Sequence, residues 1–368
     1  MKEWYLADNA DQIDSPALLV YPSRVKQNID TLVGMANDVS RLRPHVKTHK
    51  SPDVSRMLLE AGITKFKCAT IAEAEMLAMS GAEDVLLAYQ PLGPKLRRMM
   101  ALIRNYPQTR FSCLVDHPVA LTEINSMACA NLLQLQIYID LNTGMNRTGI
   151  CIGNARKLWE KAERLKGVKI IGLHAYDGHL RMPDLPLRTG RCNSEFEAVI
   201  ELKTALEENG AEPLAIVAGG SPTFSIHRRR AGVQCSPGTF AYWDKCYGEI
   251  CAELAFVPAA LLLTRVISLP AAGRVCVDLG HKAVASENDL SKRVSFLNAP
   301  GLVPVSQNEE HLVLEAGEGH GYQPGQILYG LPFHICPTVA LYERAYTIEN
   351  NRVTGEWKNI ARDRRINY

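Results

Sequence analysis

The feature that most constrains the fold is an alternation of apolar segments with amphipathic helical segments between Pro16 and about Gly220. Continuous apolar runs are typical of parallel strands covered on both faces, and helices are the usual connections between such strands. The alternation predicts a (β/α)₈ TIM-type barrel, with a doubly wound open sheet as the alternative. The predicted strands are Ala17–Tyr21, Leu42–Lys47, Lys65–Thr70, Val85–Tyr89, Arg110–Val115, Leu135–Leu141, Val168–Ala175 and Leu214–Ala218.

The pattern changes after about Gly248, where the segments become short and rich in β-forming residues and no long helix is visible. This change predicts a second, all-β domain at the C-terminus. The expected boundaries are 16–248 for the barrel and 249–368 for the β domain, with residues 1–15 packing against the latter.

Composition excludes several classes of partner. The net charge is only +2, from 41 basic and 39 acidic residues, so nothing favours nucleic acid or an anionic membrane. The longest apolar stretch, Phe256–Leu263, is too short to span a bilayer, and the polar start of the chain does not look like a signal peptide. The ten scattered cysteines include no CxxC and are expected to be free thiols in a reducing compartment, the cytoplasm.

The sequence RPHVKTHK, residues 43–50, places Lys47 between two histidines at the end of a predicted strand. A lysine beside cationic or apolar neighbours loses its proton more easily, and a neutral amine can form a Schiff base with pyridoxal phosphate (PLP). The competing interpretation is a solvated turn. Because catalytic groups of (β/α)₈ barrels lie where strands end, the position favours the PLP lysine.

Other polar residues also follow predicted strands. The turn Gly219-Gly220-Ser221 lets the backbone approach a phosphate, and the hydroxyls of Ser221 and Thr223 can donate to it. Plain turns of this composition are common, but the loops after the last strands are the usual phosphate site of such barrels.

Two further loops carry candidate residues. Arg147 lies in a glycine-flanked loop, where it could pair with the ring oxygen of PLP or be an ordinary surface arginine. His174, Tyr176 and His179 follow the seventh predicted strand. We predict Tyr176 as a cofactor contact and His174 as a buried barrel histidine. His179 is a candidate acid/base, with a purely structural histidine as the alternative.

In the second domain, Pro332-Phe-His334-Ile-Cys336-Pro337 places an imidazole and a thiol two residues apart. On an extended segment both side chains would point the same way and could hold Zn²⁺ with two open positions. Most isolated His-x-Cys pairs bind no metal.

Together these segments resemble the D-threonine aldolase and D-serine dehydratase family of PLP enzymes, which is related to alanine racemase. The motifs RPHVKTHK, the DLNTGMNRTG loop, AGGSPTF with CSPGTFAYWD, and LPFHICPTVALYERAY carry the resemblance. It implies Lys47 as the PLP lysine, Arg147 near the ring oxygen, and a phosphate loop with Tyr242 in the turn after it. It also implies His334 and Cys336 as ligands of a divalent metal, with Zn²⁺ favoured over Mn²⁺ or Mg²⁺, and a homodimer.

The resemblance implies a lyase that cleaves a D-β-hydroxy amino acid to glycine and an aldehyde. The alternative is D-serine dehydratase-type elimination, which gives an oxoacid and ammonia; a racemase or a non-catalytic PLP carrier is less favoured. His-x-Cys is the dehydratase form of the metal motif, whereas the YDG turn and the ALYERAY run resemble the aldolases. Met182 stands near the place of the aldolase histidine, so His179 is the expected base.

Overall fold

The computed structural model describes residues 3–368, and its helices begin where the sequence supplies starting signals. Several helices have proline in the first turn, where no backbone N–H is needed. Ser51 and Thr70 cap two of them by accepting from Asp53 N and Glu73 N. The helices are α1 (Pro22–Ala36), α2 (Pro52–Glu60), α3 (Ile71–Met79), α4 (Pro94–Asn105), α5 (Pro118–Ala130), α6 (Ile152–Ala162), α7 (Leu185–Glu208), α8 (Phe224–His227), α9 (Lys245–Ile250) and α10 (Ile335–Val339).

The strands form two sheets. They are β1 (Ala17–Val20), β2 (Lys65–Cys68), β3 (Asp84–Leu87), β4 (Arg110–Val115), β5 (Leu135–Asn142), β6 (Ile150–Cys151), β7 (Val168–Ala175), β8 (Ala215–Ala218), β9 (Val233–Cys235), β10 (Ala260–Ser268), β11 (Arg274–Val277), β12 (Val294–Phe296), β13 (Val303–Gln307), β14 (Leu312–Glu315), β15 (Ile327–Pro332), β16 (Arg344–Glu349) and β17 (Arg352–Lys358).

The first sheet is parallel, in the order β2-β3-β4-β5-β7-β8-β9, with β6 beside β5. Residues 42–46 join its two outer strands. Arg43 N donates to Cys235 O at 2.9 Å, and Val46 N donates to Lys67 O at 3.0 Å. Pro44 has no N–H to donate, so this segment makes isolated bridges rather than a continuous ladder. The predicted (β/α)₈-type barrel is therefore confirmed, and residues 42–46 occupy the position of its eighth strand.

The prediction that Ala17–Tyr21 begins the barrel is wrong. The strand β1 pairs antiparallel with β10 and parallel with β16, in the other sheet. Its four residues are buried on both faces, so its apolar pattern is the same as that of a barrel strand. The strands of the first sheet that were not predicted are β6 and β9, which have only two and three residues.

The second sheet has the order β13-β14-β11-β10-β1-β16-β17, with β15 beside β10 and β12 beside β15. Except for the parallel β1–β16 pair, its pairings are antiparallel. This confirms the predicted β-rich C-terminal part, while the boundary near residue 248 stays a prediction. Within residues 3–368, no helix is both long and apolar enough to cross a membrane.

Packing inside the barrel is tight around Gly172 in β7. A Cβ added there would lie 2.3 Å from Ala215 O and 2.6 Å from Tyr138 Cε1. We expect Gly172→Ala to lower the free energy of unfolding by about 1–3 kcal/mol, because the neighbouring strand cannot move away cheaply. The control is Gly34→Ala on the exposed face of α1, where a Cβ meets no atom within 4 Å. It should raise stability by about 0.5–1 kcal/mol. Urea denaturation of both variants checks this, and equal effects would contradict it.

Candidate active site

Lys47 stands at the end of the segment that closes the barrel, and the two histidines beside it are neutral. Lys47 N donates to His45 Nδ1 at 3.2 Å, and Ser51 N donates to His49 Nδ1 at 3.2 Å. Burial, followed by the charge of Lys47, holds the pKa of His45 well below its usual value. Burial lowers the pKa of His49 to about 3. Both rings are therefore neutral, and of the two kinds of neighbour considered from the sequence, cationic or apolar, they are of the apolar kind.

A second lysine, Lys67 of β2, lies within electrostatic range of Lys47, and it was not among the residues predicted for the site. Lys67 is 2% exposed and its Nζ lies 3.4 Å from His174 Nε2. His174 Nδ1 in turn lies 2.6 Å from Asp140 Oδ1. His174 is thus a hydrogen-bonded barrel histidine, as predicted, and it forms part of a polar cluster inside the barrel.

The glycine turn after β8 is held by internal hydrogen bonds. Thr223 Oγ1 donates to Asp177 Oδ1 at 2.7 Å and accepts from Gly220 N at 3.3 Å. Thr239 N donates to Ser221 Oγ at 3.3 Å, which leaves the Ser221 proton available for a ligand. The Thr223 hydroxyl already has its partners, so it positions the turn instead of facing a phosphate as we expected.

Tyr176 joins this turn to the Arg147 loop. Its ring lies 5.2 Å from the Arg147 guanidinium carbon and 5.4 Å from Lys67 Nζ. A Cβ at Gly220 would lie 3.0 Å from the same ring. The structure therefore brings together three predicted cofactor residues, Arg147, Tyr176 and Gly220, with Lys67 beside them.

A buried group of possible metal ligands lies behind the turn, away from the predicted pair. Asp177, Cys192 and His227 have ligand atoms within 4.8 Å of one another. His227 Nε2 lies 2.7 Å from Asp177 Oδ2, and Arg230 Nη1 lies 2.6 Å from His227 Nδ1. Burial, followed by the charge of Asp177, raises the pKa of the Cys192 thiol to about 12. A guanidinium and a neutral thiol disfavour a cation here, and the hydrogen bonds show a network that supports the glycine turn through Thr223.

His179 contacts residues other than those around Lys47. Its Nε2 lies 2.8 Å from Glu195 Oε2, and its ring packs against Gly144. Its Nδ1 is buried and has no hydrogen-bond partner in the described part of the chain. The carboxylate fixes the ring in the manner of an oriented base, but the role of His179 stays a prediction.

Tyr242, which the resemblance implies as a cofactor contact, and Tyr247, for which the sequence led to no expectation, lie in different surroundings. Tyr242 is fully buried, its hydroxyl has no hydrogen-bond partner among residues 3–368, and the charged group that acts on it is Asp53 of α2. Tyr247 stacks on Trp243 at 6.0 Å between ring centroids, and the groups that act on its hydroxyl include Tyr176 and Cys336. Tyr247 therefore lines the site, and Tyr242 as a cofactor contact stays a prediction.

His334 and Cys336 contact each other, but not on an extended segment. The strand β15 ends at Pro332, and both residues lie at the start of the short helix α10. Cys336 Sγ lies 3.1 Å from Thr48 Oγ1, directly beside Lys47. Burial by itself would raise the pKa of the Cys336 thiol. The hydrogen bond from His334 and the charge of Lys47 outweigh burial, so the pKa lies below its usual value. Burial by itself would lower the pKa of His334, but the contacts with Cys336 and Glu287 outweigh burial and raise the pKa to about 9.

The residues of the site fit both PLP and a divalent metal ion. A Cβ at Gly238 would lie 2.8 Å from His45 O, so this glycine keeps the backbone close beside the lysine turn. The free proton of Ser221 and the nearby Arg147 suit a phosphate and a ring oxygen. A thiolate with an imidazole suits Zn²⁺. Glu287 contacts His334 Nδ1, as carboxylates do for metal-bound histidines, and leaves Nε2 for the ion.

Comparison with known proteins agrees with this geometry. Residues 20–245 match the family described as alanine racemase, N-terminal domain, and residues 259–348 match a putative serine dehydratase domain. The chain is 27% identical to a D-threonine aldolase of an Arthrobacter species, covering 96% of this chain and 94% of that protein. It is 24% identical to a D-threo-3-hydroxyaspartate dehydratase of Delftia sp. (strain HT23), covering 96% and 99%.

The fold is shared with solved structures. The crystal structure of D-threonine aldolase from Filomicrobium marinum superposes with a TM-score of 0.87 at 24% identity, covering 95% of this chain and 96% of that chain. These matches confirm the resemblance inferred from the sequence motifs and the prediction of a PLP-dependent lyase. Because the match over residues 20–245 covers more than half of the sequence, the chain belongs to the alanine racemase N-terminal domain family.

Proposed function

We propose that this protein cleaves a D-β-hydroxy amino acid by a retro-aldol reaction, with PLP on Lys47 and a divalent metal on His334 and Cys336. The observation that carries the proposal is the 3.1 Å contact between Cys336 Sγ and Thr48 Oγ1. This contact supports the proposal, because it brings Cys336 against the residue that follows Lys47 in the chain. A substrate whose amine reaches the cofactor can therefore present its β-hydroxyl to the metal.

On the cofactor side, Lys47 supplies the amine that holds the aldehyde of PLP. The backbone at Gly219 and Gly220 and the Ser221 hydroxyl receive the phosphate, and Arg147 pairs with the ring oxygen. Tyr176 would contact the bound cofactor, since its ring lies near both Arg147 and Gly220. Bound PLP supplies an electron sink for the α-carbon of an amino acid.

On the metal side, Cys336 and His334 hold the ion and leave positions open for substrate oxygens. The soft thiolate favours Zn²⁺ over Mn²⁺ or Mg²⁺. An ion bound here orients the β-hydroxyl and increases its acidity. His179, held by Glu195, is our proposed base for the hydroxyl proton.

Elimination of water is the second candidate. The dehydratase match and the His-x-Cys form of the ligand pair favour it. The aldolase match and the YDG turn favour retro-aldol cleavage. The same metal site serves either outcome, because one ion can assist either the deprotonation or the departure of the same β-oxygen. Racemisation and a non-catalytic carrier need no metal beside Lys47, so the position of Cys336 argues against both.

One assay separates these outcomes. The protein is incubated with D-threonine, D-serine and D-3-hydroxyaspartate, with and without EDTA. Glycine with an aldehyde supports the aldolase, and an oxoacid with ammonia supports the dehydratase. Conversion to the L-isomer without metal would refute both.

Two further features are part of the proposal. All ten cysteines are free, which suits the reducing cytoplasm. We also propose a homodimer on the basis of the family resemblance; light scattering that shows a fully active monomer would refute it.

A further inference from the structure

Lys67 is placed inside the barrel beside Lys47. Its register partner on β3 is Leu86, which belongs to the apolar cluster that fills the barrel with Leu114, Tyr138 and Val217. On its other side Lys67 is the bridge partner of His45. Side chains paired across neighbouring strands lie on the same side of a sheet. Lys67 therefore projects into the interior, next to the segment that ends at Lys47.

The Lys67 amine has few partners for so buried a group. Its one hydrogen bond is to His174 Nε2, and no carboxylate among residues 3–368 forms an ion pair with it. An ammonium has three protons to donate, so a permanently charged Lys67 would be poorly satisfied here. The titratable or charged groups that face it are Lys47 and His45 on the closing segment, Arg43 on the same segment, Asp140 on β5, His174 on β7, and Tyr176 and Asp177 after β7.

We propose that Lys67 is a positioning residue for Lys47, and that the two amines share one proton so that Lys47 is available as a free amine. Two ammonium groups in one partly desolvated site repel each other, and either can relieve the repulsion by losing a proton. A lysine next to another cationic group is a known arrangement for activating an amine.

The titration of the site agrees with this geometry. Burial, followed by the charge of Lys47, lowers the pKa of Lys67 to about 7, while Asp140 and Asp177 act in the opposite direction. Above about pH 7 Lys67 therefore no longer holds its own proton permanently, and a buried neutral amine can share the proton of a neighbouring ammonium group.

The inference rests on the proposed function, because the free amine matters for binding PLP. Lys47 would hold PLP through a Schiff base, which only an unprotonated amine can form: the amine nitrogen would bond to the aldehyde carbon, and the aldehyde oxygen would leave as water with the two amine protons. No oxidant or further reactant is needed. Lys67 does not bond to the cofactor in this step.

The test measures Lys47 without the cofactor. The PLP-free chain is acetylated with acetic anhydride across pH 6–10, which spans the pKa of about 7 and that of an ordinary lysine, and the Lys47 peptide is quantified by mass spectrometry. In the parent protein the rate should rise through about pH 7. In Lys67→Met the profile should move up by at least one pH unit, which is a loss of about tenfold at pH 7.5. Lys67→Arg keeps a cation and should restore labelling of Lys47.

Lys65→Met is the matched control, since Lys65 lies on the same strand but donates to Ser40 O at the protein surface. It should leave the Lys47 profile unchanged. A Lys67→Met protein with the parent's melting temperature and the parent's Lys47 profile would overturn the inference, as would borohydride fixing PLP on Lys67. If the profile shifts but PLP is never captured at Lys47, the shared proton stands and the proposed function fails.

Discussion

Lys47→Ala is expected to lose at least about 10³-fold in lyase activity and all covalently held PLP, because it removes the amine that holds the cofactor and Lys67 stays hydrogen-bonded to His174 inside the barrel. Borohydride reduction of the parent protein should fix the cofactor to the peptide that contains Lys47. The variant should show no such label and should lack the yellow absorbance. The fold should survive, because Lys47 is only partly buried and its side chain makes no hydrogen bond in the described chain.

The control for this experiment is Lys50→Arg. Lys50 forms an ion pair with the buried Glu73, and arginine keeps that charge while removing the primary amine. Lys50→Arg should keep the cofactor and its absorbance. A borohydride label on Lys50 or Lys67, or full activity of Lys47→Ala, would show that the cofactor lysine is wrongly assigned.

Cys336→Ala is expected to weaken metal binding by at least about a hundredfold and to remove most cleavage or elimination activity, while PLP stays bound. The reason is that the proposed site has only two side-chain ligands, so loss of the partly buried thiol leaves His334 alone. Excess Zn²⁺ should restore part of the activity. Metal content by elemental analysis, measured beside PLP absorbance, separates this effect from loss of the cofactor.

Two variants sharpen the metal experiment. Cys129→Ser removes an exposed cysteine on α5 and should bind metal as the parent does. Glu287→Gln keeps both ligands but weakens the contact on His334 Nδ1, and it should lower metal affinity by about 10–100-fold. Metal-free protein with full lyase activity would refute the metal role and favour racemisation.

Local sequence predicted most of the barrel because parallel strands and their helices have strong local patterns. It misplaced β1 because a strand buried on both faces looks the same in either sheet. It missed β9 because three residues are too few to show any period. Which sheet a strand joins depends on long-range pairing, such as Leu18 with Leu262, which no local pattern encodes.

The same division holds for the site. The sequence by itself determined Lys47, Arg147, the glycine turn, and His334 with Cys336 as candidates, because motif spacing and strand-end position carry that information. Only the tertiary structure decided that His45 and His49 are neutral, that Thr223 supports the turn, and that Tyr247 lines the site. Lys67 lay unnoticed in a predicted strand, because its importance comes from barrel closure. Closure places β2 beside residues 42–46, and it is this pairing that buries two lysine amines in one site.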